Sequence, residues 1–211
     1  MSRGWFITFE GGEGTGKSTQ IEMLADHLRA LGLTVVVTRE PGGTPVAEAV
    51  RAVLLDPSLE PDGLTELFLL EAARRDHVER VIRPAVEQGM VVLSDRYADS
   101  STVYQGMVRG VGVERVVELN RTATGGLDPD LTVVLDFDHE SGLQRARSRN
   151  AENDGSENRL DDEPMAFHRR VREGFLQLAE NEPERVRVVS AEGPHEEVFA
   201  RVLAILPEDL R

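Results

Sequence analysis

Gly11-Gly12-Glu13-Gly14-Thr15-Gly16-Lys17-Ser18, with Thr19 behind it, constrains this chain more than any other stretch. It fits G-x-x-x-x-G-K-[ST], the phosphate-binding P-loop. Glycines let the backbone turn tightly with its N–H groups pointing inward, at φ values a side chain resists. A helix that starts at the loop's end adds its own unpaired amides and the positive end of its dipole. Lys17 supplies a point charge for β/γ-phosphate oxygens, and the Ser18 hydroxyl is a ligand for Mg²⁺.

With 19 glycines in 211 residues, a chance match to this motif arises roughly 1% of the time. The plain alternative is a glycine-rich turn with an incidental lysine, and the flanks argue against it. Trp5-Phe6-Ile7-Thr8-Phe9 is an apolar, β-prone run before the loop. After it, Ile21, Leu24, Ala25, Leu28 and Leu31 recur at helical spacing and stop at Gly32. Strand, loop, helix is the setting a P-loop requires.

The net charge of −14 disfavours an extended contact with a nucleic-acid polymer, which needs a positive surface to displace counterions. On so acidic a chain, binding a polyanionic nucleotide requires positive charge gathered locally, which makes the placement of arginines informative. Without cysteine there is neither a disulfide framework nor a thiolate metal site, a composition compatible with the cytoplasm. No apolar run approaches a membrane span, and the N-terminus lacks the basic and apolar regions of a signal peptide.

Further strands are predicted at residues 33–38, 90–94, 131–135 and 186–189, the first two reading as buried. Helices are predicted from Thr44, as a cap, to Leu55; from about Leu64 to Glu87, with Pro84 kinking or breaking it; from Val113; over 141–149; around Phe167–Ala179; and around Val198–Leu206. Residues 97–112 read as a polar connection and 150–158 as a mobile loop. Continuous apolar strands alternating with helices predict an α/β fold: a five-stranded parallel sheet with helices on both faces, in three layers. One domain is expected over 1–211, with a lid at about 145–160.

Asp95 closes an apolar strand, where P-loop enzymes keep a carboxylate that organises Mg²⁺. The full run is Leu93-Ser94-Asp95-Arg96-Tyr97-Ala98-Asp99-Ser100-Ser101-Thr102-Val103-Tyr104-Gln105. Here the chain resembles the thymidylate kinases, whose signature has this order of Asp-Arg-aromatic, Ser and a further aromatic. The acid at Glu13 within the P-loop, the turn Arg39-Glu40-Pro41-Gly42-Gly43-Thr44 and the lid-like segment from Arg145 to Arg159 agree with it.

The resemblance implies a P-loop nucleoside-monophosphate-kinase fold and transfer of phosphate from ATP to dTMP, with Mg²⁺ held through Ser18 and Asp95. By the same resemblance, Arg96 holds the acceptor phosphate and Arg39 and Pro41 face it from their turn. Tyr104 packs under the deoxyribose, and Glu13 lies near the 3′-hydroxyl. Ser101 and Gln105 lie near the base, which Arg74 hydrogen-bonds. Where many relatives carry a phenylalanine four residues before that arginine, this chain has Leu70. Leu70 contacting the base, Phe68 doing so, a register shift to Arg75, and simple core packing of Leu70 and Phe68 all stay open.

The P-loop holds no arginine between Gly11 and Lys17, so the resemblance is to the bacterial subtype that brings catalytic arginines from the lid. Arg145, Arg147 and Arg149 alternate along a helix and cannot share one face; Arg149 and Arg159, flanking the loop, are the candidates. The five histidines show no ligand spacing and read as surface or packing residues. A homodimer is implied because relatives are commonly dimers.

Overall fold

The computed structural model describes residues 3–152 and 162–211. Five strands, β1 (Phe6–Glu10), β2 (Val35–Arg39), β3 (Val91–Asp95), β4 (Leu131–Asp136) and β5 (Val186–Ser190), form one parallel sheet in the order β2-β3-β1-β4-β5. The expected five-stranded parallel sheet is therefore present. Central β1 has β3 on one side and β4 on the other, so its C-terminal end opens the crevice where such sheets bind ligands.

Alternation along the strands sorts side chains into two cores. Ile7, Phe9, Leu93, Val133 and Leu135 face α1 (Lys17–Ala30) and α9 (His195–Ile205), meeting Leu24, Leu28, Val198 and Val202. On the opposite face Phe6 and Val92 meet Val78, Ile82 and Tyr97, while Val134 meets Val103, Tyr104, Val171 and Phe175. The second face belongs to the turn after α3 (Gly63–His77), to α4 (Arg83–Glu87) and to α8 (Met165–Asn181). Polar β1 and β4 residues on it are paired inside: the Thr8 and Thr132 hydroxyls lie 2.9 Å apart, and Thr132 also donates to Asp99 at 2.8 Å.

Helix α2 (Pro45–Leu55) starts where sequence places it: Thr44 accepts from the Ala47 N–H at 3.1 Å, and Pro45 occupies the first turn, where no partner for its nitrogen is needed. The long helix around Pro84 is neither sharply broken nor continuous α-helix. A π-helical turn at Val78–Ile82 joins α3 to α4, and the Arg83 N–H reaches the Val78 carbonyl five residues back. Pro84 then falls in the first turn of α4, where its missing donor costs little.

Two expectations need correction. The run leading into β2 reads as buried, but β2 is one of the sheet's two edge strands, and Val37 is 44% exposed. The apparent polar connection is structured: α5 (Ala98–Ser101) runs into a π-helical segment, Thr102–Val108, that buries Thr102, Val103, Tyr104 and Gln105. Tertiary hydrogen bonds hold Ser101, Thr102 and the Gln105 amide nitrogen, so the polar sequence carries no surface signal. The remaining helices are α6 (Val113–Thr124) and α7 (His139–Glu152), the latter three residues longer than expected at its C-terminal end. The lid expected at 145–160 lies partly beyond the described residues, with Arg159; the side chains of Arg147 and Arg149 are likewise not among them.

Candidate active site

β1 delivers the chain into the P-loop, and α1 begins at Lys17 with Gly16 before it at φ 89°. Gly14, at φ 67°, lies so close to α7 that a Cβ would stand 1.9 Å from the Gly142 carbonyl oxygen. The loop's backbone is thus pressed against the next layer, which only glycine permits. The Lys17 ammonium folds back over the loop and donates to the carbonyls of Gly11 (3.2 Å) and Gly12 (2.8 Å). An exposed loop lysine is the natural reading of the sequence, but Lys17 is only 8% exposed. Burial, and next the Arg96 guanidinium, pull its pKa below the ordinary lysine range; Asp95, Glu13 and Glu10 act the other way.

Parallel pairing of β1 with β3 sets Asp95 beside Phe9, and so beside the P-loop. The Ser18 hydroxyl donates to Asp95 Oδ2 at 3.2 Å. A hydroxyl and a carboxylate are hard oxygen donors of the kind Mg²⁺ accepts together with phosphates and waters. Among the described residues no cluster of three or more His, Cys, Asp or Glu side chains can hold a metal. The pair therefore fits a cation that arrives with a nucleotide better than a dedicated cage.

Arg96 follows immediately in a left-handed conformation, φ 72°, its N–H bonded to the Phe9 carbonyl at 3.0 Å. That turn aims the guanidinium across the crevice. It donates to Gly11 O (3.2 Å), Ser100 Oγ (3.1 Å) and Glu13 Oε1 (2.7 Å), and its Cζ lies 5.1 Å from the centre of the Tyr104 ring. The Tyr104 hydroxyl reaches the same Glu13 oxygen at 3.4 Å, and burial pushes its phenol up, keeping it protonated. Arg39 is more exposed, its guanidinium held by both Glu48 oxygens at 3.1 and 3.0 Å. The Glu40–Pro41 peptide is cis, and the Pro41 carbonyl accepts from Arg51 at 2.9 Å.

At the far end Arg74 is 2% exposed, with every N–H engaged. Nε donates to Glu40, Nη1 to Glu71 and Asn120, Nη2 to Ser101 Oγ (3.0 Å) and to the Tyr97 carbonyl (3.3 Å). Five donors meet five acceptors, so any ligand atom that Arg74 binds must displace one, and the Tyr97 bond is the longest. Buried His77 extends this network, bonding Glu40 through one ring nitrogen and Thr38 through the other. Leu70 lines the cleft beside Arg74, whereas Phe68 is 55% exposed.

One cleft of about 550 Å³ gathers these groups: Glu13 through Thr19, Arg39, Pro41, Leu70, Arg74, Asp95, Arg96, Ser101, Tyr104 and Gln105. Gly11 and Gly12 line a smaller hollow behind the loop. Sequence reasoning missed Arg51, the lone cation of α2 and the one signal that could have found it. It also missed Glu10, which ends β1 fully buried beneath Arg96. Desolvation pushes the Glu10 carboxyl from 4.5 up to about 7, Arg96 opposes this, and Asp99 adds to it.

A P-loop at the C-terminal end of the central strand, faced across the cleft by an arginine and by a buried polar pocket, defines a P-loop nucleotide kinase. The family model described as thymidylate kinase matches residues 9–202. The thymidylate kinase of Deinococcus radiodurans is 50% identical over 208 residues, covering 99% of this chain and 98% of that protein. That of Syntrophotalea carbinolica is 50% identical over 202 residues, covering 94% and 93%. The crystal structure of thymidylate kinase from Ehrlichia chaffeensis superposes with a TM-score of 0.79 at 32% identity, covering 97% of this chain and 100% of that one. The chain belongs to the thymidylate kinase family, enzymes that phosphorylate dTMP to dTDP with ATP. No helix among the described residues is long and apolar enough to cross a membrane.

Proposed function

We propose that this chain performs the family reaction, ATP + dTMP → ADP + dTDP, with both nucleotides meeting over the Gly11 carbonyl. The observation that carries this reading is the convergence there of two cations from opposite sides. Lys17 Nζ and Arg96 Nη1 each stand 3.2 Å from Gly11 O. Lys17 belongs to the donor half with the P-loop, and Arg96 to the acceptor half with Tyr104 and the base pocket.

The attacking oxygen is part of an already ionised phosphate, so no general base is needed. Catalysis then consists of alignment and of neutralising charge on the transferred group. P-loop amides and Lys17 hold the donor phosphates, while Arg96, with Arg39 beside it, orients the acceptor phosphate. Tyr104 packs under the deoxyribose, where a ribose 2′-hydroxyl would crowd it, and Glu13, fixed by Arg96, takes the 3′-hydroxyl. Arg74, Ser101, Gln105 and Leu70 receive the thymine. Ser18 and Asp95 would hold Mg²⁺, which when bound would supply positive charge to the phosphate oxygens. Arg149 and Arg159 from a lid at about 145–160 complete the charge, and closure excludes water.

We place the enzyme in the cytoplasm, as one domain and as a homodimer. Support for the dimer comes from exposed apolar side chains on α2 (Val46, Val53), α3 (Phe68) and α6 (Val113, Val117), helices that pack side by side. A coupled ADP-release assay with dTMP, dUMP, dCMP, dAMP and dGMP tests the reading. Turnover should be fastest with dTMP and slow with either purine; equal turnover with dAMP or dGMP would remove the thymidylate assignment.

A further inference from the structure

Gln105 carries an asymmetry that its place in the cleft wall turns into a specificity device. It lies in the π-helical segment after α5 and is 5% exposed. Its amide nitrogen donates to Glu66 Oε2 at 3.0 Å, whereas its amide oxygen is buried without a hydrogen-bond partner among the described residues. Leaving a buried acceptor unpaired is costly, so a donor that reaches this oxygen is favoured over an acceptor.

The amide cannot turn round to relieve this. Glu66, on α3 and 1% exposed, has an Arg109 nitrogen 3.3 Å from its other oxygen. Arg109 is itself fixed, bonded to Glu163 and lying 4.8 Å from the centre of the Phe167 ring. A carboxylate paired with a guanidinium only accepts hydrogen bonds. The Gln105 NH₂ must therefore face Glu66, and its carbonyl oxygen is what remains for a ligand.

We propose that Glu66 is a positioning residue that sets pyrimidine selectivity by holding Gln105 as an obligate acceptor. The inference rests on the reading that Gln105 faces the acceptor base. Thymine and uracil carry a hydrogen on N3, which such an acceptor receives. Cytosine has a lone pair at N3, and two acceptors facing each other leave both unpaired. Selection against cytosine thus comes from a carboxylate on another helix that never touches the nucleotide.

The test compares wild type with Glu66→Gln and Glu66→Met, measuring kcat and KM for dTMP and dCMP at saturating ATP. Glutamine can donate as well as accept, and methionine fills the buried volume while doing neither; both release the Gln105 amide. Arg109 keeps Glu163 as partner, so the fold has a counter-charge left in either variant. The dTMP-over-dCMP ratio of kcat/KM should fall about ten-fold or more. The fall should appear mainly in the KM for dTMP, with its kcat within a few-fold of wild type. In a Gln105→Leu background, Glu66→Gln should change the ratio no further. A purely structural role would lower both substrates equally and leave the ratio unchanged in every folded variant, which would overturn the proposal. Failure of wild type to use dTMP at all would instead overturn the underlying functional reading.

Discussion

Replacing Glu10 by glutamine isolates the most perturbed carboxyl beneath the acceptor site. Its oxygens accept from the N–H groups of Tyr97 (2.8 Å) and Ser100 (3.2 Å) and from the Ser100 hydroxyl (2.6 Å), tying the segment that follows Arg96 to the end of β1. Burial drives its pKa from 4.5 to about 7, with Arg96 pulling down and Asp99 pushing up. A carboxyl raised in the folded state stabilises the fold most below its unfolded pKa, and that contribution is lost as pH climbs through the folded value. Between pH 5 and pH 8 the wild type should therefore lose about 2–3 kcal/mol through this group. Glutamine stays neutral throughout, and its oxygen can still take the two backbone N–H groups. Urea unfolding of both proteins across that range, without nucleotide, should show their stability difference moving in the variant's favour by about that amount. A difference that does not change with pH would refute the assignment of the raised pKa to Glu10.

Lys17→Ala should lower transfer by about 10²–10³-fold or more, while the melting temperature barely moves, because Lys17 bonds only the loop's own carbonyls. Parallel activity assays and thermal melts check both halves. Arg96→Ala should weaken dTMP binding by about 2 kcal/mol or more, the loss of a charged hydrogen-bonding partner, and leave ATP affinity within a few-fold by calorimetry; the reverse pattern would exchange the two halves of the site. Arg149→Ala or Arg159→Ala should reduce kcat by roughly 10³ with little change in dTMP affinity, as transition-state arginines do, and Arg147→Ala should lose less. Steady-state kinetics with kcat kept within a few-fold in each single variant would end the lid-arginine account.

The sheet was legible because its signal is local: five largely apolar runs between helical patterns pack as parallel strands. The P-loop was legible because backbone sterics dictate its glycines. Burial of the edge strand was misread since Val35, Val36 and Val37 look alike in sequence, and only topology leaves Val37 in solvent. The segment holding Ser101, Thr102 and Gln105 reads as polar connection because its hydrogen-bond partners lie far along the chain, such as Glu66 and Asn120. For the same reason Arg74 could be picked out, but not the five acceptors that surround it. Glu10 gave no signal, since its perturbation arises from desolvation at the sheet's centre.

The central claim is that the phosphoryl group passes from ATP to dTMP and not to water. Phosphorus NMR of wild-type protein with ATP, Mg²⁺ and dTMP tests it directly by following each product. dTDP and ADP should rise mole for mole, with no inorganic phosphate and no ATP loss when dTMP is omitted. Inorganic phosphate accumulating at the same rate with or without dTMP would mark a nucleotide-hydrolysing protein and contradict the account.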